Sequence, residues 1–232
     1  MPNFRGEFVA ATHKAGAVWA GFFAMAIGLG VLVVNAGLPW WTAPLLSGLI
    51  FAGSLEFIMI GLLTTTAPIA TIAITTFLTN SRHIFYGLTF PIHVVSSGFA
   101  RFYSVFSLCD ESYSIISATP RQEITAHRVL ITNAGLHLSW CLGSAVGALF
   151  ATFALGEIPG LDFVLIALFT VLSIDVLKQT KDFRSTLIAL CCGAVAFMIS
   201  RDHMLVLAMT GYAIVLIGRF WLSETRAKDK NA

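Results

Sequence analysis

Apolar residues along this chain come in long runs separated by short polar knots. No Asp, Glu, Lys or Arg occurs between Ala15 and Leu55, between Phe57 and Ser81, or between Val129 and Gly156. Each run reaches the ~20 apolar residues that a helix needs to cross the hydrocarbon core of a bilayer. The predicted spans are Ala15–Ala36, Ala43–Thr64, Ala67–Val95, Val129–Leu155, Leu161–Leu177, Phe183–Ser200 and His203–Leu222. Gly37-Leu38-Pro39-Trp40-Trp41 separates the first two, its tryptophans suited to a membrane interface, and Pro159-Gly160 marks another turn. The third span is interrupted by Thr79-Asn80-Ser81-Arg82-His83, and the longest polar stretch, Ser96 to Arg128, has Asp110-Glu111 at its centre. The pattern predicts an all-α protein, a polytopic transmembrane helical bundle with interrupted helices, forming one permease domain over residues 1–232.

Composition agrees. Hydrophobic residues make up 57% of the 232 and charged residues 11%, against roughly 45–50% and about 25% in soluble proteins. Too few charges remain to make a water-facing skin. A net charge of +2 leaves no electrostatic footprint for nucleic acid. Met1–Lys14 is mixed polar and the run after it is too long for a signal-peptide core, so no cleaved leader is expected. Cys109, Cys141, Cys191 and Cys192 lack metal-ligand or redox spacing and read as small buried hydrophobes. No metal or cofactor site follows. Enzyme templates are absent too: no GxSxG, HExxH, phosphate-binding glycine loop or dinucleotide fingerprint.

Basic residues near both termini (Arg5, Lys14; Arg219, Arg226, Lys228, Lys230) and in Lys178–Arg184 place all three regions on the cytoplasmic side, and the Glu157–Asp162 loop outside. That arrangement requires an even number of crossings between Thr64 and Val129. Either the interrupted segment is a pair of half-helices, or Phe99–Ala118 also enters the membrane.

An offset of 119 residues aligns Gly16 with Gly135, Gly28 with Gly147, Glu56 with Asp175, and Ser81-Arg82 with Ser200-Arg201. We read this as an internal repeat with halves 1–118 and 119–232, an arrangement many secondary transporters use to build a substrate site between related halves.

Ionisable groups inside such spans are expensive and point to function. Glu56 is read in the middle of a continuous span, sharing a face with Gly48 and Ala52. Its candidate roles are proton carrier or ligand for a cationic group, against a protonated acid bonded to a neighbouring helix. Asp175 is its aligned partner, or else an interfacial charge beside Lys178. Asn80, Arg82 and His83 sit at a polar break, where a half-helix N-terminus beside an arginine favours a carboxylate; the alternative is a short turn with Arg82 at the headgroups. Arg201 is the repeat's counterpart, or half of a loop pair with Asp202. Asp110 and Glu111 are neighbours, so at most one faces a given site; both could be solvated loop acids. His13, His93, His127 and His137 lack ligand spacing and read as structural. Gly143, Gly147 and Ala151 form a small-residue stripe suited to tight helix packing.

Three segments then carry a resemblance. Phe51-Ala52-Gly53-Ser54-Leu55-Glu56-Phe57, Asn80-Ser81-Arg82-His83-Ile84-Phe85-Tyr86-Gly87-Leu88 and Asp110-Glu111-Ser112-Tyr113 occur in the order and spacing of the AzlC family, and the chain resembles that family over nearly its whole length. The resemblance implies the large subunit of a bacterial branched-chain amino-acid exporter in the inner membrane. It also implies export of leucine, isoleucine, valine and often methionine by proton antiport, with a small AzlD-type membrane subunit as partner. Many members carry Gln at the position of Glu56. A zwitterionic substrate needs an anion site (Arg82 and the break), a cation site (Glu56, or Asp110 and Glu111) and an apolar pocket. The alternative is a non-transporting accessory or scaffold subunit.

Overall fold

The computed structural model describes residues 4–154, 182–200 and 204–230, together with 170, 174 and 177. The helices are α1 (Phe4–Asn35), α2 (Thr42–Leu49), α3 (Ser54–Thr64), α4 (Ile69–Asn80), α5 (Arg82–Thr89), α6 (Phe99–Phe106), α7 (Asp110–Ser117), α8 (Ala126–Ala154), α9 (Phe183–Ile199) and α10 (Met204–Lys230), with 3₁₀ turns at Ile92–Val94 and Arg121–Glu123. No strand occurs among the described residues. The expected all-helical architecture is therefore present. The predicted span Leu161–Leu177, apart from residues 170, 174 and 177, and the candidate residues Asp175 and Arg201 lie outside the described residues.

The chain divides into two compact units. Residues 1–67 with 79–161 form one, and residues 68–78 with 162–232 the other. In the second, α9 and α10 pair antiparallel, the Arg219 guanidinium donating to Ser185 Oγ at 3.3 Å across the pair. Asp182 caps α9 by accepting from the Ser185 backbone N–H at 3.1 Å.

The first unit is organised by α1 and α8. Their 32 and 29 residues give rods of roughly 48 and 44 Å at ~1.5 Å per residue, long enough to cross a bilayer core of ~30 Å. Glu7 meets Arg128, Trp19 meets Gly135, Phe23 meets Gly143 and Ile27 meets Gly147. Partners ascend together on both helices, so the two run parallel. A Cβ on Gly143 or Gly147 would overlap the backbone of Phe23 or Ile27, and one on Gly30 would overlap the backbone of Ser144 and Ala148. The small-residue stripe thus lets backbones approach closely, which is what drives helix association where lipid is as apolar as leucine. Leu138, Leu142, Phe150 and Phe153 of α8 stay exposed, as a lipid-facing surface requires.

Two parallel crossing helices demand an odd number of crossings between them. Three interrupted segments fill that interval: α2–α3, α4–α5 and α6–α7. No half-helix exceeds 12 residues, about 18 Å, too short to cross alone. The interruption expected at Thr79–His83 is present as a single-residue break at Ser81, and Phe99–Ala118 contains half-helices as well. The interruption at residues 50–53 corrects the expected continuous span Ala43–Thr64: Phe51 has φ 45° and Gly53 φ 40°. Glu56 consequently lies in the first turn of α3 rather than mid-helix, with Gly48 on a separate element.

Candidate functional site

Breaking a helix in an apolar surrounding frees backbone N–H and C=O groups, and each must find a protein partner. At the first break the partner is Glu56. Gly53 is the N-cap of α3, and Glu56 stands three positions on, where an acid or amide reaches back over the helix start. Its Oε1 accepts the Ala52 N–H at 2.9 Å. The Trp140 indole donates to both carboxylate oxygens, at 3.0 and 3.1 Å, and Ser47 Oγ donates to Oε2 at 3.0 Å. Glu56, Ser47 and Trp140 are all buried, with Glu56 fully enclosed at 0% exposure. One carboxylate therefore ties α2, α3 and α8 together. This is the arrangement of an acid bonded to a neighbouring helix, and Gln at the same place would keep most of it.

Phe51 holds a left-handed backbone that non-glycine residues rarely adopt. Its ring packs 4.7 Å from that of His137, which is also bonded to the Tyr103 hydroxyl at 3.1 Å. On α8, one turn before His137, Asn133 is fully buried and plays the corresponding part for the third break. It donates to the Ser104 carbonyl at 3.1 Å and Ser107 Oγ at 3.3 Å and accepts from Ser112 Oγ. The uninterrupted α8 thus holds both flanking breaks with a polar seam, Asn133, His137 and Trp140, on its inward face.

The second break meets the third through side chains. Arg82 opens α5 and pairs with Asp110, the first residue of α7, Nη2 to Oδ2 at 3.0 Å. Tyr86 donates to Asp110 Oδ1 at 2.8 Å and stacks on Tyr113, ring centroids 4.4 Å apart; Tyr113 in turn shares a 2.8 Å hydrogen bond with Thr89. His83 Nε2 lies 3.9 Å from Asp110. Glu111 follows in the same turn, half-buried. Asp110 is therefore a partner of Arg82, and the two acids open a helix rather than sitting in a solvated loop.

The three breaks surround one cavity of about 330 Å³, at the small end of the ~300–1,000 Å³ typical of small-molecule sites. Ile50, Phe51 and Ala52 come from the first break, Asn80 and His83 from the second, and Phe106 and Leu108 from the third; Phe90 and Ile92 help to close it. Its polar groups are few. Asn80 Oδ1 is buried without a hydrogen-bond partner, and the His83 ring is beside it in the lining. Asn80, Arg82, His83, Asp110 and Glu111 are thus brought to one region; Arg82 and Asp110 do not line the cavity themselves, and His83, which does, approaches Asp110 at 3.9 Å. Glu56 stands behind its wall, linked to it by the Ala52 N–H.

Sequence reading missed Ser47, Asn133, Trp140 and the role of His137. A signal existed for the first break: glycine followed three residues later by an acid is a helix-start pattern. Nothing local distinguishes Asn133 or Trp140 from other residues of an apolar helix.

No solved structure matches this chain. The chain is 30% identical to the branched-chain amino acid transport protein AzlC of Bacillus subtilis, over 75% of this chain and 69% of that protein. An uncharacterized membrane protein of Haemophilus influenzae is also 30% identical, over 90% of this chain and 88% of its own length. One of Helicobacter pylori is 24% identical over 94% and 96%. The family described as AzlC protein matches residues 17–154, which run from α1 through the three interrupted segments to the end of α8, and the chain belongs to that AzlC family of membrane transport proteins.

Proposed function

We propose that this chain is the permease subunit of a bacterial inner-membrane exporter of branched-chain amino acids, working by proton antiport with a small AzlD-type subunit. The observation that carries the reading is the apolar cavity at the convergence of three helix breaks, with a buried acceptor on Asn80 and, beyond the lining His83, the Arg82–Asp110 ion pair. The transport name of the Bacillus subtilis relative supports the substrate class.

In this reading Ile50, Phe51, Phe90, Ile92, Phe106 and Leu108 receive the aliphatic side chain. A hydrophobic pocket separates substrates differing by one methylene by only ~1–3 kcal/mol, so leucine, isoleucine, valine and methionine are all accepted. A zwitterion carries adjacent opposite charges and slots into the opened Arg82–Asp110 pair. Arg82 takes the carboxylate; Asp110, with Asn80 Oδ1, takes the ammonium. A proton arriving at Asp110 competes with the ammonium and expels it, which couples the two fluxes in opposite directions. His83, beside both groups, is the relay. The termini and the Lys178–Arg184 segment face the cytoplasm by their basic residues.

The test is uptake of radiolabelled leucine into inverted membrane vesicles with an acid interior, with and without the small subunit. The expected result is uptake that needs both subunits and collapses with a protonophore. Absence of uptake with both folded subunits present would make the chain an accessory component.

A further inference from the structure

A second concave site lies at the other feature of this unit, the end where α1 and α8 both begin. Arg5, Gly6, Val9, Ala10, His13 and Lys14 present one side of α1, facing Arg128 of α8 and Glu123 of the turn before it. Here α1 extends beyond the charge-free run that starts at Ala15, so the groove sits at the level of the lipid headgroups. Exposed Phe8 and Val9 accompany the basic residues, the amphipathic combination of an interfacial segment.

Arg128 is the built element. The residue is 7% exposed, and its Nε donates to Glu7 Oε2 at 2.8 Å. That bond fixes the guanidinium plane, and Arg128 also lines the groove. Nη1 is buried there without a hydrogen-bond partner. The nearest acid oxygen, Glu123 Oε2, is 4.0 Å away, beyond hydrogen-bond range. A buried guanidinium N–H that makes no hydrogen bond is costly and asks for an acceptor. Glu123 shows what the groove accommodates: its carboxylate bridges toward Arg128 while bonded to Lys14 at 2.9 Å. The side chain is half-exposed and can swing out to water, which a phosphate oxygen entering the groove would require. Arg5 and His13 line the same groove. Glu7 and Glu123 offset two of the three fixed positive charges, Arg5, Lys14 and Arg128, so with Glu123 displaced the groove is a strong anion site.

We propose that this groove binds a phosphate-bearing anion, the headgroup of an acidic phospholipid, through Arg128 Nη1, Lys14 and Arg5. Basic pockets at the ends of membrane helices on the cytoplasmic side are suited to such headgroups. The occupant would cross-link the starts of the two parallel helices, adding to the glycine stripe farther along.

The experiment is thermal unfolding of the purified full chain in a neutral detergent, titrated separately with dioleoyl-phosphatidylglycerol, dioleoyl-phosphatidylcholine and inorganic phosphate. Phosphatidylglycerol should raise Tm saturably and phosphatidylcholine should not. Arg5→Gln, an exposed change that leaves the fold intact, should weaken the apparent affinity about fivefold. Glu123→Gln should strengthen it several-fold, because the resident competitor is gone. Arg128→Gln should abolish the response; should that variant not fold, the Arg5 and Glu123 pair still decides. Stabilisation by inorganic phosphate as strong as by phosphatidylglycerol would keep the anion site and assign it to soluble phosphate. Equal effects of the two lipids with none from phosphate, or a phosphatidylglycerol response unchanged in both Arg5→Gln and Glu123→Gln, would overturn the proposal.

Discussion

The α1–α8 pair and the ring of half-helices around the cavity are made from the same kinds of apolar residue, yet they solve opposite problems. In the pair every central backbone group is satisfied within its own helix, and the contact surface is nearly free of chemistry. Small residues, Ala11, Ala15, Ala26 and Ala148 among the buried ones, let two rods touch. Around the cavity the backbone is interrupted three times. Groups thus freed are satisfied by Glu56 at the first break and by Asn133 at the third, and Arg101 serves the connection between α5 and α6, donating twice to the Val95 carbonyl at 3.1 and 2.8 Å. Along their central stretches the continuous helices leave no place for a polar ligand, whereas interrupted ones give a site that cannot stand without the frame. α8 does both, with glycines toward α1 and a polar seam toward the breaks.

The frame is the more sensitive of the two regions. Gly147→Leu should prevent the pair from closing, because the new side chain would occupy the position of the Ile27 backbone. Overpacking costs ~1–3 kcal/mol where side chains can yield, and here backbone would have to. The expected outcome is loss of monodisperse protein on size exclusion in detergent. Gly193→Leu on α9, where nothing lies within 4 Å of the added Cβ, should leave it unchanged.

Next comes the site. Arg82→Lys keeps the charge but loses the planar fork that pairs with a carboxylate. Loss of one charge-assisted hydrogen bond, roughly 1.5–3 kcal/mol, lowers apparent leucine affinity about 10- to 150-fold, read from the concentration dependence of vesicle uptake. A merely interfacial arginine would tolerate lysine, and near-normal affinity would place the carboxylate elsewhere.

Glu56 sharpens the boundary between frame and site. Glu56→Gln should leave transport and its pH profile close to wild type, since the amide oxygen still accepts from Ala52 and Trp140 and its NH₂ can donate to Ser47. Glu56→Leu should instead orphan the Ala52 and Trp140 N–H groups, at ~1–3 kcal/mol each, and lower Tm. Loss of proton coupling in a well-folded Glu56→Gln would return this residue to the transport machinery.

The smallest effect is expected at the membrane surface. The hydrogen bond from Lys14 and its charge hold the Glu123 carboxyl below the ordinary glutamate range. Its contribution to stability is present above the unfolded-state value and is lost as pH falls through the lowered folded value. The pair is exposed, so the contribution is slight. The Tm difference between wild type and Lys14→Gln should shrink to nothing at acid pH and at ~1 M salt, where the screening length is ~3 Å. A difference that persists in both would mean that Lys14 acts by packing.

Much of this architecture is written along the chain. Runs of about 20 uncharged apolar residues determine a membrane helical protein. Such a run satisfies its backbone groups in lipid as a helix, whereas a closed barrel is built from short strands of alternating polarity. Asn80-Ser81-Arg82-His83 marks one interruption by polarity alone, and Gly143, Gly147 and Ala151 mark a close helix contact by spacing. Tertiary structure decided what the charges do. Local sequence makes Arg82 a free guanidinium and Glu56 a mid-span acid; folding gives the first Asp110, 28 positions away, and gives the second Trp140, 84 positions away. The break at Phe51 is a further case: Gly53 with an acid three positions on hints at a helix start, but Ile50, Phe51 and Ala52 carry no local penalty for continuing a helix. Glu56, held by Trp140 and Ser47 from other elements, makes the interrupted form the satisfied one. Periodicity reports which residues prefer lipid to water, but a buried polar group is defined by its partner, and partners distant in sequence are chosen only when the chain folds.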